Sequence, residues 1–137
     1  IFPTVASFGH QNLITGENTN DMQIMSATLS KQENGILMLD NGFVVDLNNG
    51  TINSKDKSFA LKQFIRVNED SSSQAQDFNS DSIYSIVYKA DLGTFYIVDD
   101  KTFNSAYIQM FLLGNYDKNL FELVVSSPYS KIYKLKR

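Results

Sequence analysis

Ile36-Leu37-Met38-Leu39-Asp40-Asn41-Gly42-Phe43-Val44-Val45-Asp46-Leu47 decides the fold class. Two short apolar runs flank Asn41-Gly42, and Asn-Gly readily supplies the positive φ angles of a type I′ turn, so the stretch reads as a β-hairpin. Asn34-Gly35 and Asn49-Gly50 punctuate it on either side. Downstream, Phe59, Leu61, Ile65 and Val67 alternate with Lys62 and Arg66, which suits a half-buried strand. Residues 83–89 and 94–98 form a second hairpin across Asp91-Leu92-Gly93. The whole of 22–98 therefore reads as strands joined by tight turns. Residues 68–77 are polar and without period, so they are expected to form a mobile loop with too little apolar area to offset its ordering entropy.

After Asp99 the apolar period changes from two to 3.6. Phe103, Ala106, Tyr107, Met110, Phe111 and Leu113 recur at helical spacing and are assigned to packing. Asp100 or Thr102 is expected to cap the start, and Gly114 to close the end in the left-handed conformation. Residues 121–125 and 131–135 then read as strands around Pro128. Residues 4–8 fit either a strand or a helix end. The expected fold class is α+β, mainly β. A barrel-like or sandwich-like insertion, about 21–98, is framed by core portions at about 1–20 and 99–137 of one globular fragment, 1–137.

At 137 residues, 42% hydrophobic and 20% charged, the chain can bury a core. It has no cysteine, which excludes disulfides, thiolate metal sites and a cysteine nucleophile. The net charge of −3 argues against a nucleic-acid partner. Lys131, Lys134, Lys136 and Arg137 nevertheless place four positive charges in the last seven residues. They could touch anionic headgroups, but the better reading is an edge strand using lysines against edge-to-edge pairing. No apolar run approaches the roughly 20 residues of a membrane span. The chain starts in mid-pattern without methionine or signal peptide and is expected to be a fragment of something larger.

No recognisable catalytic constellation emerges. The nucleophile elbow, the phosphate loop, the dinucleotide fingerprint and H-E-x-x-H are all absent. Asp46-Leu47-Asn48-Asn49-Gly50 has its glycine where a calcium loop needs its third oxygen ligand, so a turn is the better reading. Asp99-Asp100 sits at a strand-to-helix junction and reads as a cap before it reads as a metal site. His10 has no recognisable orienting partner for work as a general base. Asn49-Gly50-Thr51 fits the N-x-[ST] acceptor pattern, but Leu47 stands two residues before the asparagine.

Two blocks carry a family resemblance. They are I-F-P-T-V-A-S-F at 1–8 and D-K-T-F-N-S-A-Y-I-Q-M-F-L-L-G-N-Y-D-K-N-L-F-E-L-V at 100–124, followed by the Lys-Leu-Lys ending. Together they resemble the C-terminal end of the PglB-like single-subunit bacterial oligosaccharyltransferases, with 22–98 fitting in kind as the β-rich insertion of that globular domain. The resemblance implies a parent enzyme that transfers a lipid-linked oligosaccharide to the asparagine of D/E-x-N-x-S/T acceptor proteins. A divalent metal (Mg or Mn) and the catalytic acids would lie in the parent's membrane domain. No cofactor is implied for this fragment, which should be inactive alone. The family's periplasmic domain, on the inner membrane of Gram-negative bacteria, reads the +2 Ser/Thr with W-W-D and M-x-x-I motifs. This chain has no tryptophan, so W-W-D is absent. The isoleucine of M-x-x-I falls on Ile1, the one substrate-binding residue carried over. The competing readings are a freestanding β-rich carbohydrate- or peptide-binding module and an adhesin-like envelope domain.

Overall fold

The computed structural model describes residues 5–9, 24–78, 81–127 and 129–136, with side chains from residue 25 onward. Eleven strands are present among them: β1 (Val5–Gly9), β2 (Ile24–Glu33), β3 (Ile36–Leu39), β4 (Val44–Asp46), β5 (Thr51–Asn53), β6 (Ser58–Val67), β7 (Ser73–Asp77), β8 (Tyr84–Lys89), β9 (Thr94–Val98), β10 (Phe121–Ser126) and β11 (Ser130–Leu135). Between β9 and β10 lie a short helix α1 (Asp100–Phe103) and a π-helical segment, Tyr107–Leu112. The fold is mainly β, as expected.

Strands β2-β3-β4-β5-β6-β8-β9 close on themselves as a seven-stranded barrel, because β6 pairs with β5 through its first residues and with β8, in parallel, through the rest. Closure removes the free edges that seven short strands would otherwise present. The hairpin at Asn41-Gly42 forms as expected, but its turn is not type I′. Of the two residues only Gly42 has a positive φ (+90°), and Gly42 N–H bonds Leu39 C=O at 3.1 Å while Leu39 N–H bonds Phe43 C=O at 2.9 Å. These bonds enclose a three-residue loop. The two-residue turn with both φ positive lies instead at Asn34 (+50°) and Gly35 (+81°), between β2 and β3.

Leu37, Leu39, Val45, Ile52, Leu61, Ile86, Phe95 and Ile97 fill the barrel. Strands β8 and β9 are buried on both faces, which is why β9 shows no inside–outside alternation. Their second face, Val87, Tyr96 and Val98, packs with Ile65 and Val67 against Tyr107, Ile108, Phe111 and Leu112. Leu61 and Ile65, expected on one face, lie in different cores. An extra residue of β6 between Leu61 and Gln63 shifts the register against β8 and reverses the phase of every later side chain.

Three further expectations are corrected. Residues 73–77 do not form a loop: they are β7, paired with β6 from Ser73↔Val67 to Asp77↔Gln63. All five are exposed, so ladder hydrogen bonds on a sheet edge hold them and no burial pattern announces them. The single helix over 103–113 is two pieces. Ser105 Oγ accepts from Ile108 N–H at 3.4 Å and Asn104 Nδ2 donates to Asp100 C=O at 2.9 Å, so short polar side chains compete for the backbone and restart the coil. The buried set becomes Tyr107, Ile108, Phe111 and Leu112, while Ala106 is exposed. Gly114 ends the segment with φ +70°, as expected. The third correction concerns the lysine-bearing strand: β11 is the centre of a three-stranded antiparallel sheet, β1-β11-β10, and not an edge. The ambiguous N-terminal residues supply the strand β1 on its far side.

Candidate functional site

Ile1, the one substrate-binding residue expected from the sequence, lies outside the described residues, as do His10 and Pro128. The first described strand of the chain is held by pairing. Strand β1 pairs with β11 from Val5↔Lys134 to Gly9↔Ser130. Strand β11 is fixed in turn by Tyr133, which is fully buried and whose hydroxyl donates to Met110 C=O within the π-helical segment. Burial raises the Tyr133 phenol to about 12, so it stays a donor at neutral pH. Tyr116 stacks edge-on against the same ring at 4.9 Å.

Beside this anchor lies a polar cluster that the sequence did not announce. Lys89 is 4% exposed and pairs with Asp91 at 3.3 Å, and Lys131 is 7% exposed. Burial, with help from the neighbouring charge of Lys89, holds the Lys131 ammonium below its ordinary value, while Asp91 opposes the shift. Burial and the charge of Asp91 push the Tyr96 phenol upward, and burial does the same to Tyr107. Asp91 Oδ1 and the Tyr107 hydroxyl are buried without a hydrogen-bond partner. The alternation of β8 and β9 carries these groups to the seam: Lys89 and Thr94 are paired across the strands, as are Val87 and Tyr96. This arrangement sets three charged groups, from the barrel and from the three-stranded sheet, close together at the seam. It offers no nucleophile paired with a base.

The other sequence candidates hold structure together. Asp99, not Asp100 or Thr102, caps α1, accepting from Thr102 N–H at 2.8 Å. Asp100 meets Lys62 at 3.0 Å across 38 residues of chain. Asp46 accepts from Asn48 N–H, Asn49 N–H and Asn49 Nδ2 at 2.9, 3.1 and 2.7 Å. Although desolvation opposes them, these bonds lower its carboxyl below the ordinary range. The amide of the Asn49-Gly50-Thr51 sequon is thus engaged inside its own turn. Among the described residues no three His, Cys, Asp or Glu side chains are placed to hold a metal. No described helix is long and apolar enough to cross a membrane. A shallow cleft of about 400 Å³ opens between the Asn41-Gly42-Phe43 turn and the turn at residues 54–57.

Comparison with known proteins reads this architecture directly. Residues 23–98, from the start of β2 to the end of β9, match the STT3/PglB C-terminal beta-barrel domain. The chain belongs to that family. Two undecaprenyl-diphosphooligosaccharide–protein glycotransferases of Campylobacter jejuni, from serotype O:2 and strain RM1221, are each 34% identical over 142 residues, covering 99% of this chain. The chain spans 20% of the length of those relatives. The crystal structure of the C-terminal domain of C. jejuni PglB superposes with a TM-score of 0.81 at 26% identity, covering 97% of this chain and 55% of that one. The family's barrel is therefore the β2–β9 unit, and the seam of Lys89, Asp91 and Lys131 is where it meets the rest of the fold.

Proposed function

We propose that this chain is part of the C-terminal domain of an oligosaccharyltransferase. The parent transfers a lipid-linked oligosaccharide to the asparagine of D/E-x-N-x-S/T acceptor proteins at the periplasmic face of a Gram-negative inner membrane. A divalent metal, Mg or Mn, would be held in the parent's membrane domain and not by this chain. The observation that carries the reading is the 34% identity to the C. jejuni glycotransferases along 99% of the chain, with the fold similarity beside it. A freestanding carbohydrate- or peptide-binding module is the weaker reading, because the relatives extend far beyond the matched span.

Within that reading this chain scaffolds the acceptor site and contributes Ile1 to the pocket for the +2 residue. Threonine differs from serine by one methyl, and burying such a group gives about 0.8 kcal/mol. An apolar wall at Ile1 would therefore favour Thr over Ser a few-fold. In the parent enzyme, Ile1→Ala should lower turnover of a Thr acceptor peptide more than that of the Ser peptide differing only at +2, by about 1 kcal/mol in discrimination. An unchanged Thr-to-Ser ratio would remove Ile1 from the pocket. A parent unable to glycosylate either peptide from a lipid-linked donor would remove the enzyme reading altogether.

A further inference from the structure

Two edge strands among the described residues, β7 and β10, have opposite chemistry. Strand β7 on the barrel reads Ser-Gln-Ala-Gln-Asp and presents only small or polar groups to water. Strand β10 on the three-stranded sheet does the reverse. Leu120, Val124, Val125 and Tyr129 are 51%, 49%, 45% and 66% exposed, half of the exposed large hydrophobic residues among the described ones, within ten positions. The local register explains the concentration. Phe121 and Leu123 stand opposite Leu135 and Tyr133 and share the buried face, whereas the register shift between Leu123 and Val125 leaves Val124 unpaired and sets Val125 opposite half-buried Ile132. Exposed Glu122 and Lys134, paired across the strands, form a charged border to this apolar strip.

An edge that faced water would be blunted as β7 is, and a concentration of exposed apolar side chains with a charged border marks a contact surface. We propose that the β10 edge and its outer face are covered, in the parent protein, by the part of its C-terminal domain that lies outside these 137 residues. This rests on the reading above. Chain length identifies the occupant: the chain fills only 55% of the C. jejuni PglB C-terminal domain that it matches, so nearly as much polypeptide again belongs to such a domain. The bulge at Val124 also disfavours a second copy of the same edge, since an unpaired residue interrupts a β-ladder. The covering segment accordingly packs on the Val124, Val125 and Tyr129 side chains and does not extend the sheet.

The chain's lack of cysteine makes the test direct. In the native parent, in a cysteine-free background, Val124→Cys and Val125→Cys should react with a maleimide at least about tenfold more slowly than Ile83→Cys, whose site on the barrel side is 49% exposed, and all three equally in denaturant. A photo-crosslinking amino acid at position 125 should join to C-terminal-domain residues of the same molecule outside this span. Val125→Cys labelling as fast as Ile83→Cys, or crosslinks to a second copy or to lipid, would overturn the proposal. Each variant is also assayed for glycan transfer. An active parent with a reactive thiol at 125 sinks this interface alone, whereas a protected thiol in a correctly folded parent without transfer activity upholds the interface and sinks the functional reading.

Discussion

Position 107 should respond with opposite signs to two substitutions. The Tyr107 ring is 8% exposed and lies 5.1 Å from the Phe111 ring, which is fully buried in the core between the barrel and the π-helical segment. Its hydroxyl is buried without a hydrogen-bond partner, and burial pushes the phenol above its ordinary value. Tyr107→Phe keeps the ring and removes an oxygen that lost its water on folding, a cost of about 1–3 kcal/mol when no bond replaces it. Tyr107→Phe is therefore expected to stabilise the fold by up to that amount. Tyr107→Ala and Phe111→Ala each delete a buried ring and leave a cavity, at about 3–5 kcal/mol. That is about a fifth or more of the net stability of an ordinary domain. Urea unfolding separates the cases. The alanine variants should lower the midpoint by more than about 1 M at unchanged slope, and Tyr107→Phe should raise it. If Tyr107→Phe lowers the midpoint, the hydroxyl has a partner and the account of this seam fails. Midpoints unchanged in both alanine variants would mean that the stripe does not pack on the barrel.

Two further outcomes follow from the geometry. Alanine at Gly50, Gly35 and Gly42 should destabilise in that order by thermal melting: a Cβ at Gly50 would sit 2.5 Å from the Phe78 ring, at Gly35 2.9 Å from the movable Asn48 amide, and at Gly42 near nothing, leaving there only the left-handed backbone cost of about 1–2 kcal/mol; equal losses at all three would show that the ring contact is immaterial. Because burial and Lys89 hold the folded-state Lys131 below its ordinary 10.5, the unfolded chain binds more protons, so this group's contribution to stability should grow as pH rises from the lowered value, until tyrosine ionisation in the unfolded chain near pH 10 works against folding. Lys131→Met should flatten that rise on the alkaline side below the ordinary lysine value, and an unchanged slope would place Lys131 outside the buried cluster.

The elements legible in the sequence were those with one buried face or a special turn. The hairpin around Asn41-Gly42, strands β8 and β9, and the apolar content of 103–113 were read correctly because period and turn residues agree there. What escaped was set by neighbours. Strand β7 has no buried face, so only its ladder to β6 identifies it. The break at Asn104-Ser105 depends on side-chain bonds that compete with a helix whose apolar spacing runs straight through it. Which Asn-Gly takes the type I′ geometry depends on pairing register, and the register was not visible. The lysines of β11 suggested an edge because charge usually marks one. Lys131 instead faces the buried seam, and Lys134, one face over, remains exposed. The family resemblance rested on residues 1–8 and 100–124, whereas the family match covers the barrel between them.

These placements give the barrel a mechanical role relative to the N-terminal residues. Strands β8 and β9 are the only barrel strands with both faces committed along most of their length, one to the interior and one to the π-helical segment. That segment holds β11 through Tyr133, and β11 holds β1 by five paired residues in unbroken register. Strand β1 also contacts the π-helical segment directly, so the two are coupled both through β11 and to each other. Packing that runs from the barrel through the π-helical segment and β11 therefore bears on the position of β1. A domain loosened at Phe111, in the core between the barrel and the π-helical segment, should lose the register of β1 before the barrel interior opens, since Leu37, Val45, Ile52 and Ile86 belong to a separate core that Phe111 does not complete.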